Sequence, residues 1–200
     1  MTAERPENPR ARLFIALDLP AALRAGIVAW GERELTDAAL RPVPLESIHI
    51  TLAFLGHRPE VEIERLAEIV EGLSAAAPAI ELRDPVAKPS RRRPGLFALT
   101  VDSPGAVALQ AELAEELASV RLHKPEKRPF WPHVTVARVR SEGRGSKRPR
   151  AVEKPPGALP RGLLEPVLCV RTTLYRSELN PQGAHYTPLA HVELSQGGRQ

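Results

Sequence analysis

The stretch Ser47-Ile48-His49-Ile50-Thr51-Leu52 returns 84 residues later as Pro132-His133-Val134-Thr135-Val136. Both segments read His-apolar-Thr-apolar. Successive side chains of a strand point to opposite faces, so His49 shares a face with Thr51, and His133 with Thr135. Ile50, Leu52, Val134 and Val136 turn the other way, as core residues. Two such strands side by side place two imidazoles and two hydroxyls on one surface. That set offers a general acid, a general base and two hydrogen-bond donors around one anion. One such triplet alone carries little weight, because an exposed strand His bonded to a neighbouring Thr gives the same pattern. The pair, both in strand-like contexts, is hard to explain that way.

Working outward, residues 11–19 alternate and predict a strand. Pro20 opens a helix to about Leu35, with Leu23, Ile27 and Trp30 as its apolar stripe. Residues 47–56 form the first motif strand. A second helix runs from Pro59 to about Leu73, burying Ile63, Leu66, Ile69, Val70 and Leu73. Two strands follow, over 79–87 and 95–102. Asp102 or Ser103 caps a third helix near Pro104, whose expected buried stripe is Val107, Leu109, Leu113, Leu117 and Val120. The second motif strand covers 132–140. Residues 141–160, rich in Gly, Pro, Lys and Arg, predict a mobile basic loop. Strands over 166–176 and 184–194 close the chain as a pair. Residues 1–10 and 195–200 read as disordered tails, which leaves one domain over 11–194. The order of elements suggests an α+β fold with internal pseudo-symmetry.

Composition narrows the function classes. Two hundred residues with 42% apolar content can build one sizeable core. The net charge of +4 leans weakly toward an anionic partner. The single Cys169 excludes an intrachain disulfide and, in its apolar run, reads as an inert core residue. No apolar run has transmembrane length, and the polar N-terminus lacks a secretory h-region, so a cytoplasmic protein with no membrane partner is expected. No glycine-rich phosphate loop with Lys-Ser/Thr occurs. Each motif supplies one His and no matching carboxylate, so no metal and no other cofactor are expected. Arg91 to Arg93, Lys124 to Arg128 and Lys147 to Lys154 are either RNA-backbone contacts or solvated loops. Phe130 and Trp131 either stack on a base or pack in the core.

These residues resemble the 2H phosphoesterase superfamily, and within it the RNA 2′,3′-cyclic phosphodiesterases, also called 2′-5′ RNA ligases. The likeness runs over nearly the whole chain. It is carried by Arg12-Leu13-Phe14-Ile15-Ala16-Leu17-Asp18-Leu19-Pro20, by His49-Ile50-Thr51-Leu52-Ala53-Phe54-Leu55-Gly56 and by Pro132-His133-Val134-Thr135-Val136-Ala137-Arg138. Leu174-Tyr175-Arg176-Ser177-Glu178-Leu179 and Gly183-Ala184-His185-Tyr186-Thr187-Pro188-Leu189 complete it. The chain departs from the family at Val136, where Leu is more usual, and in the long basic insertion after Arg140.

The resemblance implies two pseudo-symmetric lobes, each an antiparallel sheet backed by helices, with one motif strand on each side of a cleft. It implies metal-independent hydrolysis of an RNA 2′,3′-cyclic phosphate, with reverse 2′-5′ ligation through the same site. His133 would accept a proton from water, and His49 would donate one to the leaving O3′, giving a 2′-phosphate. Thr51, Thr135 and Arg138 would hold the phosphate oxygens. Arg138 also reads as a solvated strand-end residue, and Phe14 either borders the base or ribose or belongs to the core. The expected partner is RNA ending in a 2′,3′-cyclic phosphate, tRNA fragments among the candidates, met by a monomer. Two other readings stay open: a phosphodiesterase of small cyclic nucleotides or ADP-ribose cyclic phosphate, and a non-enzymatic nucleotide- or RNA-binding module.

Overall fold

The structure is a computed structural model that describes residues 9–124, 128–180 and 183–196. Its strands are β1 (Arg10–Asp18), β2 (Leu40–Pro42), β3 (His49–Pro59), β4 (Ala79–Pro89), β5 (Pro94–Asp102), β6 (His133–Val139), β7 (Val167–Leu168), β8 (Arg171–Asn180) and β9 (Gly183–Glu193). Its helices are α1 (Ala21–Glu34), α2 (Ile63–Glu71) and α3 (Pro104–Ser119). Among the described residues no helix is long and apolar enough to cross a membrane.

The helices follow their sequence signals. α1 buries Leu23, Ile27 and Trp30 at helical spacing. α2 begins after a 3-10 turn at Glu60–Glu62 and buries Leu66, Ile69 and Val70. The cap of α3 is Ser103, whose hydroxyl accepts from the Ala106 backbone N–H at 3.0 Å. The buried face of α3 is Ala106, Leu109, Leu113 and Leu117. Val107 departs from its expected place in that stripe: it is 43% exposed, because it lies about 100° around the helix from Ala106.

All nine strands join one sheet, in the order β7-β4-β5-β6-β3-β1-β8-β9, with β2 on β6. Every ladder in it is antiparallel. The sheet has two halves, β3-β1-β8-β9 and β7-β4-β5-β6, joined side to side at a single residue pair, Ile50 with Val134. Beyond that pair β3 and β6 separate, and β2 covers the free edge of β6 through Leu40–Val139, Arg41–Arg138 and Pro42–Ala137. The sheet curls until its ends meet, where Ala76 bridges Ser195 in parallel.

Several expected boundaries change. Arg10 opens β1 opposite Pro59, and Ser195 is held by its bridge, so neither belongs to a loose tail. Residues 1–8 and 197–200 of those tails lie outside the described residues. The expected strand over 166–176 divides at the buried Cys169, whose N–H donates to the Pro78 carbonyl, and β7 and β8 pair in different halves.

The segment 141–160 is a pinned strap in place of the expected mobile loop. Its start is a small hairpin closed by the Ser141–Pro149 bridge and a Glu142–Arg148 backbone bond. Its second part is tied to α1 and the turn after it. Asp37 accepts from the Glu153 and Lys154 N–H groups at 2.8 Å, and Glu34 accepts from Gly157 at 3.0 Å. The Trp30 indole N–H donates to the Ala158 carbonyl at 3.1 Å, and Leu159 is buried. Composition predicts mobility because the segment has little apolar surface of its own; carboxylates elsewhere in the chain satisfy its backbone.

Candidate active site

The two motif strands are neighbours at the join. In an antiparallel ladder, the Ile50–Val134 pair carried one residue either way sets His49 opposite Thr135 and Thr51 opposite His133. The four side chains line one cavity of about 210 Å³ at the junction of the two halves. Ile50, Leu52, Val134 and Val136 are buried on the opposite face, as the alternation requires.

Both strands then break the alternation at the same place. On β3, Thr51 pairs with Ala16 but Ala53 with Ile15, so Leu52 is an extra residue. On β6, Thr135 pairs with Ala98 but Ala137 with Phe97, so Val136 is an extra residue. These are β-bulges directly after each Thr. Strict alternation would send Phe54 and Arg138 into the core. The bulges turn both outward, and both line the cavity.

His49 is half-buried in an aromatic stack. Its ring lies 5.0 Å from Phe14, and Phe14 lies 5.2 Å from Tyr175, both pairs near parallel. Tyr186 meets His49 edge-on at 5.6 Å. The stack is anchored from behind by Asp18, which accepts from the Tyr175 hydroxyl at 3.0 Å and from Thr173 at 2.7 Å. Burial raises the pKa of the Asp18 carboxyl. Burial, and then the Asp18 charge, push the Tyr175 phenol up to about 12. Phe14 is 4% exposed, which leaves little surface for a base or ribose; its neighbours are His49, Tyr175 and Tyr186.

His133 has a different setting. Its Nδ1–H donates to the carbonyl of Trp131 at 2.8 Å, which in the neutral ring leaves the Nε2 lone pair free. The Trp131 indole lies flat on the imidazole at 4.2 Å, and Lys88 places its ammonium 4.3 Å from the indole ring. Trp131 is therefore a wall of the His133 position. Burial, and then the charge of His133, push His49 down to about 4. His49 is neutral in the free protein at pH 7, and the two rings resist carrying charge together.

All six candidate residues thus meet: His49, Thr51, His133, Thr135, Arg138 and Phe14 line the same cavity. His57, His123, His185 and His191 do not. The segment Lys124 to Arg128 falls partly outside the described residues, and Arg91 and Arg92 line a separate concavity. Sequence reasoning misses Arg41 and Tyr186, which also line the cavity. Tyr186 sits in the family-like run near the C-terminus; Arg41 has no motif, and β2 is too short to show a period. Among the described residues no three His, Cys, Asp or Glu side chains gather to hold a metal.

A curled antiparallel sheet with one His-x-Thr strand from each half is the architecture of a two-histidine phosphoesterase. The model of the 2′-5′ RNA ligase superfamily matches residues 19–156, and the chain belongs to that family. It is 30% identical to the RNA 2′,3′-cyclic phosphodiesterase of Escherichia coli, over 92% of this chain and 97% of the relative. It is 33% identical to the protein of that name from Thermus thermophilus, over 92% of this chain and 90% of the relative. A crystal structure from Thermus thermophilus superposes with a TM-score of 0.77 at 28% identity, covering 94% of this chain and all of the other. Escherichia coli LigT complexed with 3′-AMP superposes at 0.73 with 29% identity and the same coverage.

Proposed function

We propose that this protein hydrolyses RNA 2′,3′-cyclic phosphodiester ends to 2′-phosphomonoesters by two-histidine acid–base catalysis. The observation that carries the reading is the junction itself: each half of the sheet delivers one imidazole and one hydroxyl to a common cavity. The relatives named as RNA 2′,3′-cyclic phosphodiesterases support the substrate class.

In the proposed reaction, water attacks phosphorus in line, and the P–O3′ bond breaks on the far side. His133 accepts the water proton at Nε2 while the Trp131 carbonyl holds Nδ1–H. His49 delivers a proton to O3′, leaving the phosphate on O2′. Thr51, Thr135 and Arg138 donate to the non-bridging oxygens, on which charge grows in the transition state. Phe14 fixes the plane of the His49 ring. A depressed pKa makes a protonated His49 a strong acid, but the free protein holds it neutral. It must therefore take up a proton together with the anionic substrate, whose charge offsets the burial that disfavours the charged ring, while His133 stays neutral. The same in-line step with a 5′-hydroxyl in place of water forms P–O5′ as P–O3′ breaks, and leaves a 2′-5′ linkage.

The test is turnover, in EDTA, of an RNA oligomer ending in a 2′,3′-cyclic phosphate, with the His49→Ala and His133→Ala variants beside it. A 2′-phosphate product that needs both residues supports the reading. A 3′-phosphate product exchanges the acid and base roles. Turnover of cyclic mononucleotides alone moves the substrate class to small cyclic phosphates.

A further inference from the structure

The two halves of the site carry equivalent residues of opposite character. The bulge that exposes Phe54 on β3 exposes Arg138 on β6. Arg138 does not stand alone. Arg41 lies directly opposite it in the β2–β6 ladder, and Arg140 follows two residues on.

Like charges directly opposite on adjacent strands destabilise a sheet. Elsewhere in this sheet the same geometry is neutralised: Arg171 faces Glu193 in register and pairs with it. Arg41 and Arg138 have no ion pair and no side-chain hydrogen bond among the described residues. Both line the catalytic cavity, and both also line a second concavity of about 390 Å³, completed by Arg140, Gly95 and Ser141. The Arg140 Nε–H donates to the Leu40 carbonyl at 3.2 Å, which fixes that guanidinium beside β2 and leaves its four other N–H groups. Three guanidiniums thus lead out of the catalytic cavity with no carboxylate among the residues lining either concavity.

We infer that Arg41 and Arg140 form a second anion subsite, for the phosphodiester that joins the terminal nucleotide to the one before it. The inference rests on the proposed reading that the cavity takes an RNA end. The chain leaves the terminal ribose through its 5′ oxygen, so the next anion along it is that phosphodiester. Arg138 stands between the two subsites and serves the terminal phosphate. Arg138 and Arg140 are spaced about 7 Å apart on an extended chain, which is the scale of one backbone step. A mononucleotide cannot fill the second subsite. The protein is thereby specific for the end of a polynucleotide over a free cyclic nucleotide.

A binding cycle tests this without turnover. The probe is a labelled RNA hexamer ending in a 2′-phosphate, compared with one whose last phosphodiester is an uncharged methylphosphonate. Affinity is measured by fluorescence anisotropy for wild type and Arg41→Gln. The subsite predicts that either change weakens binding about 10-fold, the scale of one charge-assisted contact, and that both together weaken it by less than the product of the two losses. It also predicts that Arg41→Gln lowers the slope of log affinity against log salt by about one. Additive losses, or no loss from the methylphosphonate in wild type, overturn it. Arg140→Gln repeats the cycle on an independent side chain. A protein that couples Arg41 to the phosphodiester but does not hydrolyse cyclic ends keeps the subsite and loses the proposed reaction. A protein that hydrolyses without coupling does the reverse.

Discussion

The two histidines are chemically alike in sequence and unlike in place. His49 lies against Phe14 and is pushed down to about 4, whereas His133 has one nitrogen committed to a backbone carbonyl. Replacing either by Ala is expected to lower the rate by about two to four orders of magnitude. Both sit at a solvent-open cavity, so circular dichroism and the thermal midpoint should stay close to wild type. His49 also has a signature in stability. Its folded pKa lies below the ordinary 6.5, so between pH 6.5 and 4 the unfolded chain binds more protons than the folded one. Stability therefore falls as pH falls through that window. His49→Ala removes this contribution, and urea midpoints at pH 7.5 and 5.0 should lie closer together in the variant than in wild type. Bound anion should act in the opposite sense: inorganic phosphate raises the His49 pKa, read by NMR titration of its ring protons.

The positioning residues give a second residue-scale prediction. Tyr175→Phe removes one of two side-chain donors to the half-buried Asp18 and should destabilise the fold by about 1 kcal/mol in urea titration. Trp131→Ala removes the indole that lies on His133 and should lower kcat more than it raises KM. An equal effect on both parameters would mean that Trp131 serves binding instead.

At the scale of elements, much is legible in the sequence. The helical stripes of α1 and α2, the Ser103 cap, the two motif strands and the final pair β8–β9 all follow from periodicity and local chemistry. What escapes is non-local. The bulges at Leu52 and Val136 leave no local mark, because a Leu or Val suits a regular strand equally well. They decide which side of the sheet Phe54 and Arg138 occupy, so a period-2 reading places both wrongly. Arg138 is singled out by resemblance, not by pattern. β2 is three residues long, too short for any period, and Arg41 passes unnoticed with it. Phe54 is 46% exposed with the Arg12 guanidinium 4.9 Å from its ring centre, an arrangement held open by the bulge. Deleting Leu52 would restore alternation with Phe54 still facing outward, at the cost of one buried side chain; a lowered thermal midpoint is the expected result.

At the scale of the molecule, the strap over 141–160 shows how composition misleads. Its Gly, Pro and charged residues cannot form a core, yet Asp37 and Glu34 at the end of α1 hold it by its backbone. Those backbone bonds keep the Asp37 carboxyl below the usual carboxylate range. The sign is the reverse of that for a group raised on folding: the stabilisation is present above pH 3.8 and is lost as pH falls through the lowered folded value. At neutral pH, Asp37→Ala should free the segment, and limited digestion with a glutamyl endopeptidase should then cut after Glu153 well before it cuts wild type. Equal cleavage rates would show that Trp30 and Leu159 suffice to hold it.

The topology of the two halves has a consequence for the making of the protein. The β7-to-β6 half is one continuous stretch, residues 79–168, inserted into a half whose strands come from both ends of the chain. Phe14 meets Tyr175 across a β1–β8 ladder that spans 161 residues of sequence. On a ribosome, His133 and its indole can be in place while His49 still lacks Tyr175 and Tyr186. The surroundings of the histidine pair are completed only when the last two strands emerge, so a nascent chain interrupted before residue 171 carries both motifs and no finished site.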